Sequence, residues 1–171
     1  VFTSDHGEMM GSHGMGSKMV FYEESVHVPL LMRFPGRIKP GGVVRDPAST
    51  QDIFATVLDY LGADAPQRES YNLRKPSADF RVSEWPGENI PNFMVRTRDW
   101  KLMMAKNAAS KSRDALYDLK NDPYELTNLL GEPSSRAKFR GKAEELKERL
   151  LTYLDRAGSP LKNSVKERKL T

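Results

Sequence analysis

The spacing of apolar residues changes near residue 80, and this change limits the folds open to the chain more than any other feature. Before it, short apolar runs alternate with one stretch of helical periodicity, as they do in α/β proteins. After it, several short β-prone runs follow one another, and a long amphipathic stretch comes last. Consecutive short strands favour an antiparallel sheet that a helix can cover. The sequence therefore predicts an α/β part followed by a small antiparallel-sheet α+β subdomain.

The first part contains two predicted strands and one predicted helix. The apolar, β-prone run at residues 1–4 has the character of the end of a buried strand, and Val26–Gly36 predicts a second one. Pro29 cannot donate to a β-ladder, so it belongs at the start of that strand or at a sheet edge. Apolar residues then recur at helical spacing over 53–61, and Gly62 ends this amphipathic helix.

The second part contains four predicted strands and a long helix. The strands are "FRVSEW" at 80–85, two strands over Phe93–Met104 joined at Arg98-Asp99, and Ala115–Leu119. A shorter helix is expected to begin at Pro123, because proline suits the first helical position. The long helix is expected from about Ser135 to Gly158, with an apolar stripe along one face.

We expect the 171 residues to divide into three segments. Residues 1–80 form the α/β part, residues 81–158 the small subdomain, and residues 159–171 a basic tail. The tail has few apolar residues, and such composition predicts disorder.

The net charge of +4 is unevenly distributed. Residues 1–80 contain 8 Lys/Arg and 10 Asp/Glu, whereas the remainder contains 19 and 13. A basic second half can attract an anionic substrate or polymer; the simpler alternative, which we favour, is a solvated helix face plus a tail. No nucleic-acid partner is expected. The chain has no cysteine, which excludes disulfides and cysteine-ligated zinc, and no apolar run approaches the ~20 residues of a membrane span.

The opening stretch "TSDHGEMMGSHGMGSKM" gathers polar groups that bind metals and anions. Asp5 and His6 follow the first predicted strand, at the kind of sheet edge where α/β proteins bind ligands. A carboxylate oxygen and an imidazole nitrogen suit a divalent metal, although two ligands leave a site incomplete. Lys18 follows a glycine-rich loop and can present an ammonium group to an oxyanion. Taken singly, such residues are more often turn and surface residues.

The whole string "TSDHGEMMGSHGMGSKMVFYEESVHVPLLMRFPG" resembles a segment of the type I sulfatases, in the alkaline-phosphatase-like superfamily. The resemblance continues in "STQDIFATVLDYLG" and resumes in "RTRDWKLM" and "LYDLKNDPYELTNL". It covers roughly residues 1–130. It implies that residues 1–80 are the C-terminal part of the catalytic α/β domain of such an enzyme.

The resemblance also implies roles for four residues. Asp5 and His6 match two ligands of a divalent metal, which is usually calcium in this family, with manganese or zinc as alternatives. Lys18 matches the lysine that contacts both the sulfate and a formylglycine nucleophile. His13 can contact substrate or assist proton transfer to the leaving group, or it can only brace its loop; both alternatives stay open.

The chain departs from the family pattern at the nucleophile. Formylglycine is made from Cys or Ser in a "C/S-x-P-S-R" string, and the chain has no such string. We therefore expect a fragment that lacks the N-terminal half of the enzyme and is inactive alone. The full enzyme is expected to cleave sulfate esters, most often of carbohydrates, in the periplasm, the exterior or the lysosome. The alternatives are a phosphonate monoester or phosphodiester hydrolase of the same superfamily, and a non-catalytic binding piece.

Several further residues carry weaker expectations. Glu8 is expected to orient a backbone group, and His27 to be a packed core histidine within its strand. The methionines of the opening stretch are expected to pack around the pocket: Met9, Met10, Met15 and Met19. Four side chains of the subdomain are candidates for contact with an anionic sugar: Arg81, Trp85, Arg96 and Arg98.

Overall fold

The computed structural model describes residues 1–64, 70–74, 79–87, 91–107, 109 and 112–171. The chain forms two compact units, Val1–Ala78 and Asp79–Thr171. The division lies beside the change in apolar spacing at residue 80. Within the described ranges, no helix combines the length and the apolar character that crossing a bilayer requires.

The first unit contains a two-stranded antiparallel sheet, β1 (Phe2–Thr3) and β2 (Leu30–Leu31). Phe2 lies opposite Leu31 in the register, and these residues are 63% and 61% exposed. The strand predicted at residues 1–4 is present, but the prediction that it is buried is wrong. A sheet of two strands is too small to bury its own side chains.

The strand predicted over Val26–Gly36 is correct only at β2. Val26, the first residue of the predicted strand, is instead the last residue of a one-turn helix, α1 (Glu23–Val26). The backbone N–H groups of Val26 and His27 donate to the carbonyls of Tyr22 and Glu23 at 3.0 and 2.8 Å. Acidic residues in the first turn favour this helix because they complement its dipole.

Helix α2 (Asp52–Tyr60) confirms the amphipathic helix of the first part, but not the face that it buries. Asp52 is fully buried, and its carboxylate accepts the backbone N–H of Tyr71 at 2.8 Å. The hydroxyl of Thr56, also buried, accepts the N–H of Leu73 at 2.9 Å. These hydrogen bonds hold the following segment against the polar face. Part of the predicted apolar stripe is exposed instead: Phe54, Val57 and Leu61.

The second unit contains a four-stranded antiparallel sheet, which confirms the predicted strands. In chain order the strands are β3 (Phe80–Glu84), β4 (Phe93–Thr97), β5 (Trp100–Met104) and β6 (Ala115–Asp118), and each pairs with the next. Short β-prone runs and a tight turn between β4 and β5 account for this order.

The predicted long helix is also present, as α3 (Pro133–Arg156). Its apolar face covers the sheet and completes the core of the unit, because both elements have one apolar side to bury. The core joins these residues from sheet, loop and helices: Phe93, Val95, Leu102, Met104, Leu116, Leu130, Ala143, Leu146, Leu150, Leu151, Leu154 and Val165.

The helix predicted to begin at Pro123 is not formed, and residues 121–128 make turns instead. The carboxylate of Asp122 accepts the backbone N–H groups of Leu126 and Thr127 at 3.0 and 2.8 Å. Aspartate side chains compete in this way with helical hydrogen bonding, which explains the difference.

A buried ion pair fixes this loop to the sheet. Glu125 adopts a left-handed backbone conformation, with φ of 54°. Its carboxylate lies 2.8 Å from Nζ of Lys101 on β5, and neither side chain is exposed to solvent. The loop therefore carries a charge into the interior, where it needs its partner.

The disordered tail predicted over 159–171 is wrong as well. The structure has a short helix there, α4 (Lys162–Glu167). Arg168 after it forms a buried ion pair with Asp114, and Nζ of Lys147 donates to the Arg168 carbonyl at 2.7 Å. Composition predicted solvated charges in the tail, but the charge of Arg168 is buried and paired with Asp114.

Candidate active site

Asp5 and His6 lie directly after β1 and form a close pair. Nε2 of His6 is 3.4 Å from Oδ2 of Asp5, and the two side chains are 38% and 84% exposed. The other carboxylate oxygen, Oδ1, accepts the backbone N–H of His6 at 2.9 Å and the Ser4 hydroxyl at 3.3 Å. Oδ2 is therefore the oxygen that remains beside the imidazole.

The histidine ring is oriented by a backbone carbonyl. Nδ1 of His6 lies 2.7 Å from the Gly7 oxygen. Because a carbonyl only accepts, Nδ1 carries the proton, and a neutral ring then keeps its lone pair on Nε2. Metal-binding histidines commonly donate their other ring N–H to such a partner. The geometry thus fits a divalent cation shared by Nε2 and Oδ2.

The electrostatics of the pair favour the charged carboxylate. The pKa of Asp5 is lowered from the ordinary value of 3.8, first because the His6 backbone N–H donates to it and second because of the charge of the His6 ring. Among the described residues, no three His, Asp or Glu side chains gather closely enough to hold a metal together. Within those residues, Asp5 and His6 are therefore two candidate ligands and not a complete ligand set.

Gly7 holds the Asp5–His6 segment against α1. Its backbone N–H donates to the carbonyl of Ser25 at 2.8 Å. A Cβ at this position would lie 1.9 Å from the carbonyl oxygen of Glu24, so no other residue fits without moving the backbone. Glycine is required here because the two backbones approach closely.

Lys18 is tied to the same helix through its backbone. The hydroxyl of Ser25, which is buried, donates to the Lys18 carbonyl, and so does the N–H of Val20 at 2.8 Å. Lys18 itself is exposed. Its main chain is therefore fixed while its side chain remains accessible to a ligand.

His13 packs on the residue that precedes α1. It lies in a short 3-10 turn, Ser12–Gly14, with φ of 53°. Its ring stacks on Tyr22 with centroids 3.8 Å apart and planes 12° from parallel. Nε2 is 3.9 Å from Oε1 of Glu24. These contacts account for a bracing role and leave the second alternative, contact with substrate, open.

Helix α1 and Tyr22 before it thus contact His13 and the backbones of Gly7 and Lys18, and sequence reasoning did not find this shared support. Tyr22 and Glu24 contact His13, while Ser25 binds the backbone of Gly7, next to His6, and that of Lys18. The stretch "FYEES" was part of the family resemblance, but a buried serine that bonds two backbones leaves no periodic signal in a sequence.

Other residues of the opening stretch take simpler positions. Glu8 accepts the Met9 N–H at 3.2 Å, as expected of a residue that orients the backbone. Met9 is buried, but the other methionines predicted to pack there are exposed: Met10, Met15 and Met19. His27 is not a core histidine: its ring is 71% exposed and lies 3.3 Å from Glu23.

The candidate sugar-contacting side chains of the second unit differ in accessibility. Arg81 is buried and donates to the Phe80 carbonyl at 2.8 Å. Arg96 donates to the carbonyls of Thr97 and Arg98, at 2.7 and 3.3 Å. Both arginines thus stabilise the sheet and its turn, whereas Arg98 and Trp85 are exposed.

Residues 11–155 match the protein family described as N-sulphoglucosamine sulphohydrolase, C-terminal, and the chain belongs to this family. The match begins at residue 11, after Asp5 and His6, and includes His13, Lys18 and nearly all of α3. It confirms the resemblance to the C-terminal portion of the type I sulfatases.

Curated relatives agree with this assignment. The chain is 38% identical to human arylsulfatase K over 146 residues, which cover 75% of this chain and 27% of that protein. It is 33% identical to N-acetylglucosamine-6-O-sulfatase of Bacteroides thetaiotaomicron over 162 residues, covering 85% and 28%. The chain thus spans little more than a quarter of the length of either relative.

Solved structures share the fold. One is a protein in complex with its substrate D-glucosamine-2-N,6-O-disulfate, with a TM-score of 0.72 and 26% identity over 97% of this chain and 35% of that one. Another is the phosphonate monoester hydrolase of Agrobacterium radiobacter, with a TM-score of 0.66 and 32% identity over 85% and 33%. The fold is the alkaline-phosphatase-like one that the resemblance implied.

Proposed function

We propose that this chain supplies one side of the active site of a sulfatase, a hydrolase that converts a sulfate ester into an alcohol and sulfate. One observation carries the proposal. In a chain that belongs to a sulfatase family, the segment around α1 contacts His13 and the backbones of Lys18 and of Gly7, which follows Asp5–His6. A nitrogen ligand, an oxygen ligand and a cation on one support are suited to a tetrahedral oxyanion.

The Asp5–His6 pair is the proposed partial metal site. Nδ1 of His6 carries the ring proton, and Oδ1 of Asp5 accepts two hydrogen bonds. The lone pairs of Nε2 and Oδ2 are therefore the ones available to a metal. A divalent cation bound there supplies positive charge to the non-bridging oxygens of the ester. We favour calcium, as the family resemblance implies, with manganese and zinc as alternatives; the remaining ligands lie outside this chain.

Lys18 is the proposed sulfate-binding cation. Its main chain is held by Ser25, so the ammonium group can be placed without ordering the whole loop on binding. The ammonium group binds oxygens of the sulfate and stabilises charge that develops as the ester bond breaks.

His13 is the proposed accessory residue of the same pocket. An imidazole can donate a proton to a leaving oxygen near neutral pH, or hydrogen bond to the substrate. Its stacking on Tyr22 fixes the ring plane, which suits either role.

The nucleophile is proposed to come from outside this chain, as a formylglycine in the rest of the protein. The substrate class is proposed to be a carbohydrate sulfate, supported by the relative and the solved complex whose names include a sulfated amino sugar. An exported location, in the periplasm, the exterior or the lysosome, rests on the family alone.

The proposal is tested by kinetics of the longer protein that contains this chain. With an aryl sulfate as substrate, Lys18→Ala and Asp5→Asn should each lower kcat/KM by about 10²–10³. Lys39→Ala, at an exposed position outside the site, serves as the control and should leave it unchanged. Equal rates in wild type and both site variants would contradict the proposal.

A second candidate is hydrolysis of a phosphonate monoester or phosphodiester, favoured by the 32% identity with the Agrobacterium enzyme. The same oxyanion site can accept either group, because both are tetrahedral. A kcat/KM at least tenfold higher for a phosphodiester or phosphonate monoester than for the matching sulfate ester would decide for this candidate.

A further inference from the structure

The first half of α3 is unusually basic. Residues 133–142 contain four basic residues and no acidic one, and the first turn of the helix has no acidic residue. The helix dipole acts mainly within the first turn, so it neither opposes nor explains the charges of Lys138, Arg140 and Lys142.

Two of these cations lie on aromatic rings that are anchored to the core. Trp100 of β5 and Phe139 of α3 pack partly buried against it, with ring centroids 6.2 Å apart. Nζ of Lys138 lies 5.0 Å from the Phe139 ring centroid, and Nζ of Lys142 lies 5.6 Å from that of Trp100. Cation–π attraction thus holds the two ammonium groups over a rigid surface.

We call this surface the basic shelf and define it by Trp100, Lys138, Phe139, Arg140 and Lys142. Arg140 adds a third cation, 70% exposed.

Carboxylates at the C-terminal side of the basic shelf do not cancel its charge. Glu144 lies 4.0 Å from Arg140, and Glu145 pairs with Lys142. Glu145 is also shared with Arg149, at 3.2 Å. Residues 133–145 contain four basic and two acidic residues, so an excess of positive charge remains.

We propose that the basic shelf is an accessory site that binds a sulfated polysaccharide chain and shares no residue with the Asp5–His6 site. This inference rests on the proposed function, since a sulfatase of carbohydrates meets such polyanions as substrates. Sulfate groups repeat along a polysaccharide, and a row of pre-positioned cations matches repeating charges without enclosing any one of them. Cations already held on aromatic rings lose less conformational freedom on binding.

The test measures affinity of the longer protein for a sulfated octasaccharide at two salt concentrations. The site variant is Lys138→Gln with Lys142→Gln. The matched control is Lys120→Gln with Lys169→Gln, which removes the same charge from two exposed positions of the same unit. Asp5→Asn is present in all of them, so that hydrolysis does not consume the ligand.

We expect the site variant to bind about tenfold more weakly, with a salt slope shallower by about two, since two ionic contacts are lost. The control should change affinity less than twofold, and the desulfated octasaccharide should not compete. An equal loss in both variants, strong competition by the desulfated sugar, or tighter binding of duplex DNA than of the octasaccharide would each overturn the inference.

The sulfatase proposal and the basic-shelf proposal can be refuted independently. With Asp5 intact, the site variant should hydrolyse a small aryl sulfate as fast as wild type and show a raised KM for the octasaccharide alone. A protein that hydrolyses no sulfate ester but binds the octasaccharide through Lys138 and Lys142 would refute the enzyme proposal and uphold the basic shelf. A protein that hydrolyses aryl sulfate, but whose site variant binds the octasaccharide as tightly as the unsubstituted protein, would uphold the enzyme proposal and refute the basic shelf.

Discussion

At the scale of single residues, close backbone approach matters as much as side-chain chemistry. Asp5 and His6 provide the donors, but Gly7 sets their place because its N–H bonds to Ser25 and its missing Cβ lets the chain pass Glu24. A substitution at Gly7 should therefore displace Asp5 and His6, although Gly7 itself offers no side-chain ligand.

Gly7→Ala should disable the metal site without removing a ligand. The added Cβ would lie 1.9 Å from the Glu24 carbonyl oxygen, so the backbone must move. We expect kcat/KM for an aryl sulfate to fall by about 10², as for other displaced catalytic groups. Titration calorimetry should show weaker metal binding as well. Gly16→Ala, which meets no atom within 4 Å, is the control, and equal effects of the two variants would refute the role of Gly7.

The low pKa of Asp5 has two causes that involve His6, and a titration of a His6 variant can separate them. The depressed pKa keeps the Asp5 carboxylate ionised as the pH falls through the ordinary aspartate range, and the carboxylate is protonated only below it. Because the main cause is the His6 backbone N–H, His6→Ala should leave the Asp5 pKa below 3.8 in a ¹³C NMR titration. A return to 3.8 would assign the effect to the ring.

At the scale of elements, α1 is a very short helix with a large organising role. Ser25 is its buried centre and bonds the backbones of Gly7 and Lys18. Ser25→Ala removes the donor to the Lys18 carbonyl, which costs about 1 kcal/mol for a typical hydrogen bond. We expect a several-fold rise in KM for an aryl sulfate. Ser17→Ala, at an exposed neighbouring position, should leave KM unchanged.

The loop after β6 depends on the buried pair of Lys101 and Glu125. Glu125→Gln should lower the free energy of unfolding by about 3–5 kcal/mol, because the lysine charge then lies buried without its counter-charge. The double change Lys101→Met with Glu125→Leu should recover most of that loss. Both tryptophans, Trp85 and Trp100, lie in the second unit, so urea unfolding followed by tryptophan fluorescence reports this unit. No recovery in the double variant would contradict the expectation.

The elements also show what the sequence could predict. Short β-prone runs sufficed for β3 to β6, and helical periodicity sufficed for α3, because repeated apolar positions record a buried face. They failed where single polar side chains decide the backbone. Asp122 replaced a predicted helix by turns, and Arg168 ordered a predicted disordered tail by pairing with Asp114.

The sequence predicted the residues of the candidate site but not the contacts that support them. Asp5, His6, His13 and Lys18 were found from their residue types and a family resemblance. Their common support on α1 was not, because hydrogen bonds to backbone carbonyls depend on the fold and not on residue type.

At the scale of the whole molecule, the first unit exposes several large apolar side chains. Large side chains that are 40% exposed or more include Phe2, Leu31, Phe34, Val43, Val44, Phe54 and Leu61. Exposed strands and apolar side chains favour association. We therefore expect the isolated 171-residue chain to self-associate in sedimentation velocity, and Leu31→Asp to reduce it. A monodisperse monomer would contradict this.

The central claim is that Asp5 and His6 bind a divalent cation beside Lys18. The most direct measurement is a crystal structure of the longer protein grown with manganese and sulfate, using anomalous scattering to locate the metal. We predict a peak within about 2.0–2.4 Å of Oδ2 of Asp5 and Nε2 of His6, with the Lys18 ammonium bonded to a sulfate oxygen. A peak elsewhere, or Lys18 directed into solvent with sulfate bound, would contradict the account.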